Sequence, residues 1–144
     1  MGNTNKKKKR IPIEKKKKGN RLPQEVAEVQ ETGSTDHLNP VFSFDSTCKN
    51  HFQLNELTKG ELDQLIDSLR IMSSLSWAEV KKYKGLRFKG PLEHYNATLP
   101  EWLDRDVDVF EFAFSKRGRV FGYKSGRIFH IIWFDRNHDL YPMS

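Results

Sequence analysis

A chain of 144 residues is one domain's worth of protein, and its net charge of +6 is concentrated at one end. Residues 1–40 hold ten cations and five anions, whereas residues 41–144 hold fifteen and fourteen, so the part able to fold is close to neutral. The lone Cys48 excludes an intramolecular disulfide framework and a cysteine zinc site; no apolar run reaches the roughly 18 residues of a membrane span, and no signal-type stretch follows the basic start, so a cytoplasmic protein without a membrane partner is expected.

Residues 1–40, which include "KKKKRIPIEKKKKGNRLPQEVAEVQ", have few large apolar side chains and several breakers. Such a segment cannot bury enough surface to offset the entropy of ordering, so it is expected to be a disordered basic arm. Its start lacks the hydroxyl residue that N-myristoylation requires, because Lys6 stands there. A single domain is expected over residues 41–144, beginning with "VFSFDS" as a short edge strand.

In "LTKGELDQLIDSLRIM", Thr58 as N-cap and Glu61 three residues on make a capping box, with Leu57 and Leu62 spaced as a hydrophobic staple. Leu62, Leu65, Ile66 and Leu69 then follow helical spacing, which predicts one buried stripe with Asp63, Gln64, Asp67 and Ser68 facing away. "LSWAEVKKYKG" repeats the pattern with Ser76 and Glu79, and offers Gly85 as the C-terminal cap. The stretch "LRFKGPLEHYNATLPEW" reads as a short extended piece and a long loop, and its sequon Asn96-Ala97-Thr98 has no meaning in a cytosolic chain.

From Val107 the period changes to two. "VDVFEFAFS" sets Phe110, Phe112 and Phe114 on one face against Val109, Glu111 and Ala113 on the other. "RVFGYK" and "RIFHIIWF" flank Ser125-Gly126, which predicts a tight hairpin. In the last strand Phe129, Ile131 and Trp133 alternate with Ile128, His130, Ile132 and Phe134, so both faces are expected to be buried. The fold class expected is α+β, two helices packed on one face of a small antiparallel sheet that ends in a hairpin.

Charge is segregated within the folding part. "KKYKGLRFK" and "SKRGRVFGYKSGR" carry no acid, while the intervening "EWLDRDVDVFE" is acidic. If the basic segments meet, Lys82, Lys84, Arg87, Arg117 and Lys124 form a surface for RNA phosphates, and Tyr83, Phe88, Phe121 and Tyr123 offer faces for unpaired bases. The tail after the last strand holds Arg136, His138 and Tyr141. Metal-free RNA cleavage needs a base for the 2′-hydroxyl, a cation for the charged phosphate and an acid for the departing 5′-oxygen, and these residue types supply all three. His130, between Ile128 and Ile132, is expected to be a core histidine bonded to a neighbour. No metal-ligand spacing, phosphate loop or serine nucleophile motif is present, so neither metal nor cofactor is expected.

Two helices followed by "FEFAFSKRGRVFGYKSGRIFHIIWFDRNHDLY" resemble the RelE/ParE-like toxins of bacterial toxin–antitoxin pairs, which include mRNA interferases; the likeness covers roughly residues 57–141. The resemblance implies an endoribonuclease, a hydrolase of ribosome-bound or free mRNA, neutralised by a cognate antitoxin protein. It implies catalytic roles for Arg119 as phosphate-binding residue, with Arg117 beside it, and for Arg136, His138 and Tyr141. Lys82, Lys84 and Arg87 would line the cleft. The basic arm, the long loop at 90–100 and the lack of lysines in "FEFAF" depart from the family. Two other functions are compatible with the same residues: a non-enzymatic toxin that binds gyrase, and a small single-stranded RNA- or DNA-binding module.

Overall fold

The computed structural model describes residues 33–95 and 99–140. The chain divides into the units Met1–Thr35 and Asp36–Ser144, and every helix and strand described belongs to the second. The lysine clusters of the arm, the sequon at 96–98 and Tyr141 lie outside the described residues.

The second unit is α+β. Its strands are β1 (Val41–Ser43), β2 (Arg87–Pro91), β3 (Asp108–Ala113), β4 (Arg119–Ser125) and β5 (Ile128–Asp135), and its helices are α1 (Lys59–Ser73) and α2 (Trp77–Tyr83). They form one sheet in the order β1-β5-β4-β3-β2. The sheet is mixed, which corrects the all-antiparallel expectation: β1 runs parallel to β5, and the other three pairs are antiparallel. Both helices and three strands separate β1 from β5, so no short turn dictates their relative direction. Ser125 pairs with Ile128 across a two-residue turn in which Gly126 takes φ 61.

Both helix starts form as the capping boxes predict, with the hydroxyls of Thr58 and Ser76 accepting from Glu61 N and Glu79 N. Two further orphan donors at the start of α2 are satisfied from outside the helix: Trp77 N donates to Leu38 O (2.8 Å) and Ala78 N to Asp36 O (2.9 Å). Residues 36–40, expected in the arm, are therefore built into the folded unit. Of the expected stripe of α1, Leu62, Leu65 and Leu69 pack against the core and Ile66 is exposed; Ser68, expected to face away, is buried and its Oγ accepts Lys84 Nζ from beyond α2 at 2.9 Å.

Apolar packing continues on both faces of the sheet. On the helix side Leu65, Met72, Trp77 and Val80 pack with Phe112, Val120, Phe129, Ile131 and Phe134. On the opposite side Leu92, Tyr95 and Leu103 cover Val109, Phe121, Ile132 and Trp133, so loops close the second face instead of leaving it open. Trp133 changes sides relative to the simple alternation. Phe121 pairs with Trp133 but Gly122 pairs with Ile131, so Ile132 is an extra residue in β5 and the pleat beyond it is reversed.

Gly122 sits where this irregularity begins. A Cβ added there would lie 2.2 Å from His130 O and 2.6 Å from the Phe129 ring, and a backbone oxygen inside a sheet cannot move aside. Gly122→Ala is expected to destabilise the fold by about 3 kcal/mol, the upper end for overpacking. Gly60→Ala, in α1 with nothing within 4 Å of the new methyl, should stabilise by up to about 0.5 kcal/mol at this helix-start position. Urea unfolding of both variants checks the contrast.

Candidate functional site

β3 alternates Phe110 and Phe112 toward the helices, which sends Glu111 to the loop-covered face beside Val109. Glu111 is 1% exposed, an uncommon state for a carboxylate unless it is paired. Its cross-strand neighbours are Arg87 on β2 and Phe121 on β4. Arg119 stands two residues along β4 from Phe121, a diagonal position within reach of a long side chain. Its Nε lies 3.9 Å from Glu111 Oε2, while its Nη1 donates to the carbonyls of Ser115, Lys116 and Gly118 at 3.0–3.3 Å. Arg119 thus ties the β3–β4 turn to the buried acid, and much of its donor capacity is used inside the protein.

His138 reaches the same acid from the far end of the chain. The buried carboxylate of Asp135 accepts Asp139 N (2.9 Å) and Leu140 N (2.7 Å), folding the tail back after β5. His138 lies inside this loop at φ 58, a left-handed conformation costly for a non-glycine residue, so the surrounding bonds must hold it there. Its Nε2 is 3.4 Å from Glu111 Oε1, an ion-pair distance without hydrogen-bond alignment. Glu111 Oε1 has no hydrogen bond among the described residues although it is shielded from water. An acceptor in that condition gains free energy when a proton or donor reaches it. Tyr95 nearby is pushed up to about 12, first by burial and then by the negative charge of Glu111, and its hydroxyl donates to Lys89 O at 2.7 Å.

The remaining expected site residues are placed elsewhere. The reversed pleat sends Arg136 to the helix side, where its Nε donates to Glu61 Oε1 at 3.0 Å. Arg119 and His138 thus meet at Glu111, whereas Arg136 is held at Glu61. The Lys84 ammonium is held by Ser68 Oγ, and burial holds its pKa below the usual range. Lys124 lies over the Trp77 ring at 5.1 Å, also lowered by burial. Lys82 sits over the Tyr83 ring at 5.3 Å, on the exposed end of α2. Arg117 belongs to the β3–β4 turn. Phe121 and Tyr123, expected to stack on bases, are buried.

His130 pairs with Asp45 Oδ1 at 2.9 Å and stacks on Tyr123 at 4.5 Å. Burial pushes Asp45 upward, but hydrogen bonds from His130 and Ser43 outweigh it and leave the carboxyl lowered. A shallow apolar groove of about 430 Å³ runs along Phe44, Cys48, Leu54, Leu62 and Phe134; its lining includes neither Glu111 nor His138, and it offers a phosphate no charge.

Glu111 is the residue that sequence reasoning passed over. The signal available was a lone acid on a strand face whose other members, Val109 and Ala113, are apolar. Comparison of the chain with protein-family models, with curated proteins and with solved structures found no match in any of the three. Among the described residues, no helix is long and apolar enough to cross a membrane.

Two outcomes follow from these pairings. Arg119→Met strips the buried Glu111 of a charge partner and is expected to destabilise by about 3 kcal/mol, whereas Glu111→Gln combined with Arg119→Met should recover most of that loss in chemical unfolding. Glu61 is held below its ordinary value of 4.5, chiefly by the Thr58 backbone hydrogen bond and then by the Arg136 side chain. A carboxylate so depressed stabilises the fold above its unfolded pKa and loses that contribution as pH falls through the folded one. Arg136→Met should therefore be less stable than the parent at pH 7, with the gap closing below pH 4.5; unfolding at pH 7 and pH 3 measures it.

Proposed function

We propose that the chain is a metal-independent endoribonuclease whose reactive centre is the His138–Glu111 dyad, and, by its sequence resemblance, the toxin of a toxin–antitoxin pair held inactive by a cognate antitoxin. The observation that carries this reading is the placement of a partly exposed imidazole over a fully buried carboxylate, His138 Nε2 to Glu111 Oε1 at 3.4 Å. Glu111 is too enclosed to touch a substrate, so it acts through His138, orienting the ring and stabilising the imidazolium that forms when the ring takes a proton.

His138 accepts the 2′-hydroxyl proton, the 2′-oxygen attacks phosphorus, and the bond from phosphorus to the 5′-oxygen breaks. The products are a 2′,3′-cyclic phosphate and a 5′-hydroxyl. Tyr141 is proposed to give its own hydroxyl proton to the departing oxygen, and the proton held by His138 then passes through solvent to the tyrosinate, restoring both groups. The developing phosphate charge falls to Arg87, exposed and directly opposite Glu111 in the sheet register, with Arg119 fixing the carboxylate from behind. Arg136, Lys84 and Lys124 are left out of the chemistry because their charges are taken up by the helices.

The test is a fluorescent RNA oligonucleotide incubated with the purified chain in EDTA, free and on translating ribosomes. Cleavage to a cyclic phosphate is expected, falling by about 10² to 10³ in His138→Ala and in Glu111→Gln while both remain folded. Binding of RNA without cleavage in either setting would assign the chain to the nucleic-acid-binding modules, and inhibition of DNA supercoiling in its place would assign it to the gyrase-binding toxins.

A further inference from the structure

β2 is an edge strand, with β3 on one side only, and it follows α2 after a turn in which Gly85 takes φ 70. The segment "KKYKGLRFK" thus runs from the last turn of α2 into the edge strand and carries five cations without an acid. Two of those charges are already engaged, Lys81 with Asp36 at 2.8 Å and Lys84 with Ser68 Oγ at 2.9 Å. Among the described residues, Lys82, Arg87 and Lys89 take part in no ion pair.

The aromatic side chains on the same segment are unusually open. Tyr83 is 66% and Phe88 58% exposed, although neither residue type gains by standing in water. Phe88 is steadied by an edge-on contact with Phe110, 5.7 Å between ring centroids. Lys82 stands 5.3 Å from the centre of the Tyr83 ring. Alternation along β2 sets Arg87 on the same side as its partner Glu111 and Phe88 beside Phe110, so charge and ring flank the edge strand on its two sides.

We propose that this edge and the adjoining end of α2 bind single-stranded RNA next to the scissile bond, with unpaired bases stacking on Tyr83 and Phe88, and the backbone phosphates held by Lys82 beside Tyr83 and, across the edge strand, by Arg87 and Lys89. The proposal rests on the endoribonuclease reading and names its substrate class. Bare rings interleaved with uncompensated cations match an unpaired strand, which offers both π-faces and phosphates, and match poorly a paired helix, whose bases are already stacked. Arg87 joins the two functions, because it belongs to the edge and stands opposite the buried acid.

The experiment uses the full chain and a 2′-O-methyl RNA octamer, which lacks the reacting hydroxyl, in single-stranded form and annealed to its complement. Fluorescence anisotropy should give tighter binding to the single strand. The variant Tyr83→Leu with Phe88→Leu keeps apolar bulk and the fold but removes the rings, and affinity should fall about tenfold per ring. Tyr83→Trp with Phe88→Trp should restore or exceed the parent.

On cleavable RNA, the leucine variant should raise KM and leave kcat near the parent's, whereas Glu111→Gln lowers kcat and leaves octamer binding intact. The proposal is overturned if the leucine variant binds the octamer as the parent does, or if duplex and single strand bind equally. A parent that binds the octamer through these rings but never cleaves RNA removes the endoribonuclease reading and leaves the stacking surface standing.

Discussion

One inserted residue in β5 governs where every charged side chain of the strand's end is delivered. Ile131 and Phe134 face the helices and Ile132 and Trp133 face the loops, a pattern that requires the pleat to slip once between them. The slip leaves Ile132 O to accept Cys48 N at 2.9 Å, and beyond it Phe134 N donates to Phe52 O at 2.7 Å, so the segment after β1 supplies partners where the sheet ladder falters. Asp135 then lands on the loop side and Arg136 on the helix side. With an unbroken alternation the two would exchange, placing a carboxylate near Glu61 and a guanidinium beside the buried Glu111.

The molecule accordingly uses its charges for two ends. Arg136, Lys84 and Lys124 brace the helices, through Glu61, Ser68 and the Trp77 ring. Arg119 and His138 converge instead on Glu111, a carboxylate that a neutral core would not retain without a reason. Its Oε1, buried and without a hydrogen bond among the described residues, stands in contrast to the carboxylate of Asp135, both of whose oxygens accept backbone N–H groups. Of the buried acids described on that face, Asp135 is bonded to the backbone of the turn and Glu111 faces Arg119 and His138.

What the sequence made legible was what is encoded locally. The capping boxes at Thr58 and Ser76 and the Phe110, Phe112, Phe114 alternation each depend on residues within one or two turns or one strand, and all formed as read. In the helix stripe Ile66 and Ser68 depart from the reading, and the partner of Ser68 is Lys84, sixteen residues on. The parallel β1–β5 pair, the pleat slip and the meeting of Glu111 with His138 depend on contacts between distant segments, which no local period records. The pairing of Arg136 with Glu61 was hidden for the same reason: an alternation carried straight through Ile132 gives Arg136 the wrong side, while His138, beyond β5, is placed by the turn that Asp135 holds.

The parallel pairing of β1 with β5 also sets an order of events when the chain is made. Val41, Phe42 and Ser43 emerge from the ribosome long before Ile128, Phe129 and His130, their ladder partners. Until the last strand is translated, the first has no neighbour to pair with, and Phe42 and Trp77 lack the Phe129 ring against which both pack. The nascent polypeptide must therefore wait with this apolar surface uncovered until β5 has been made.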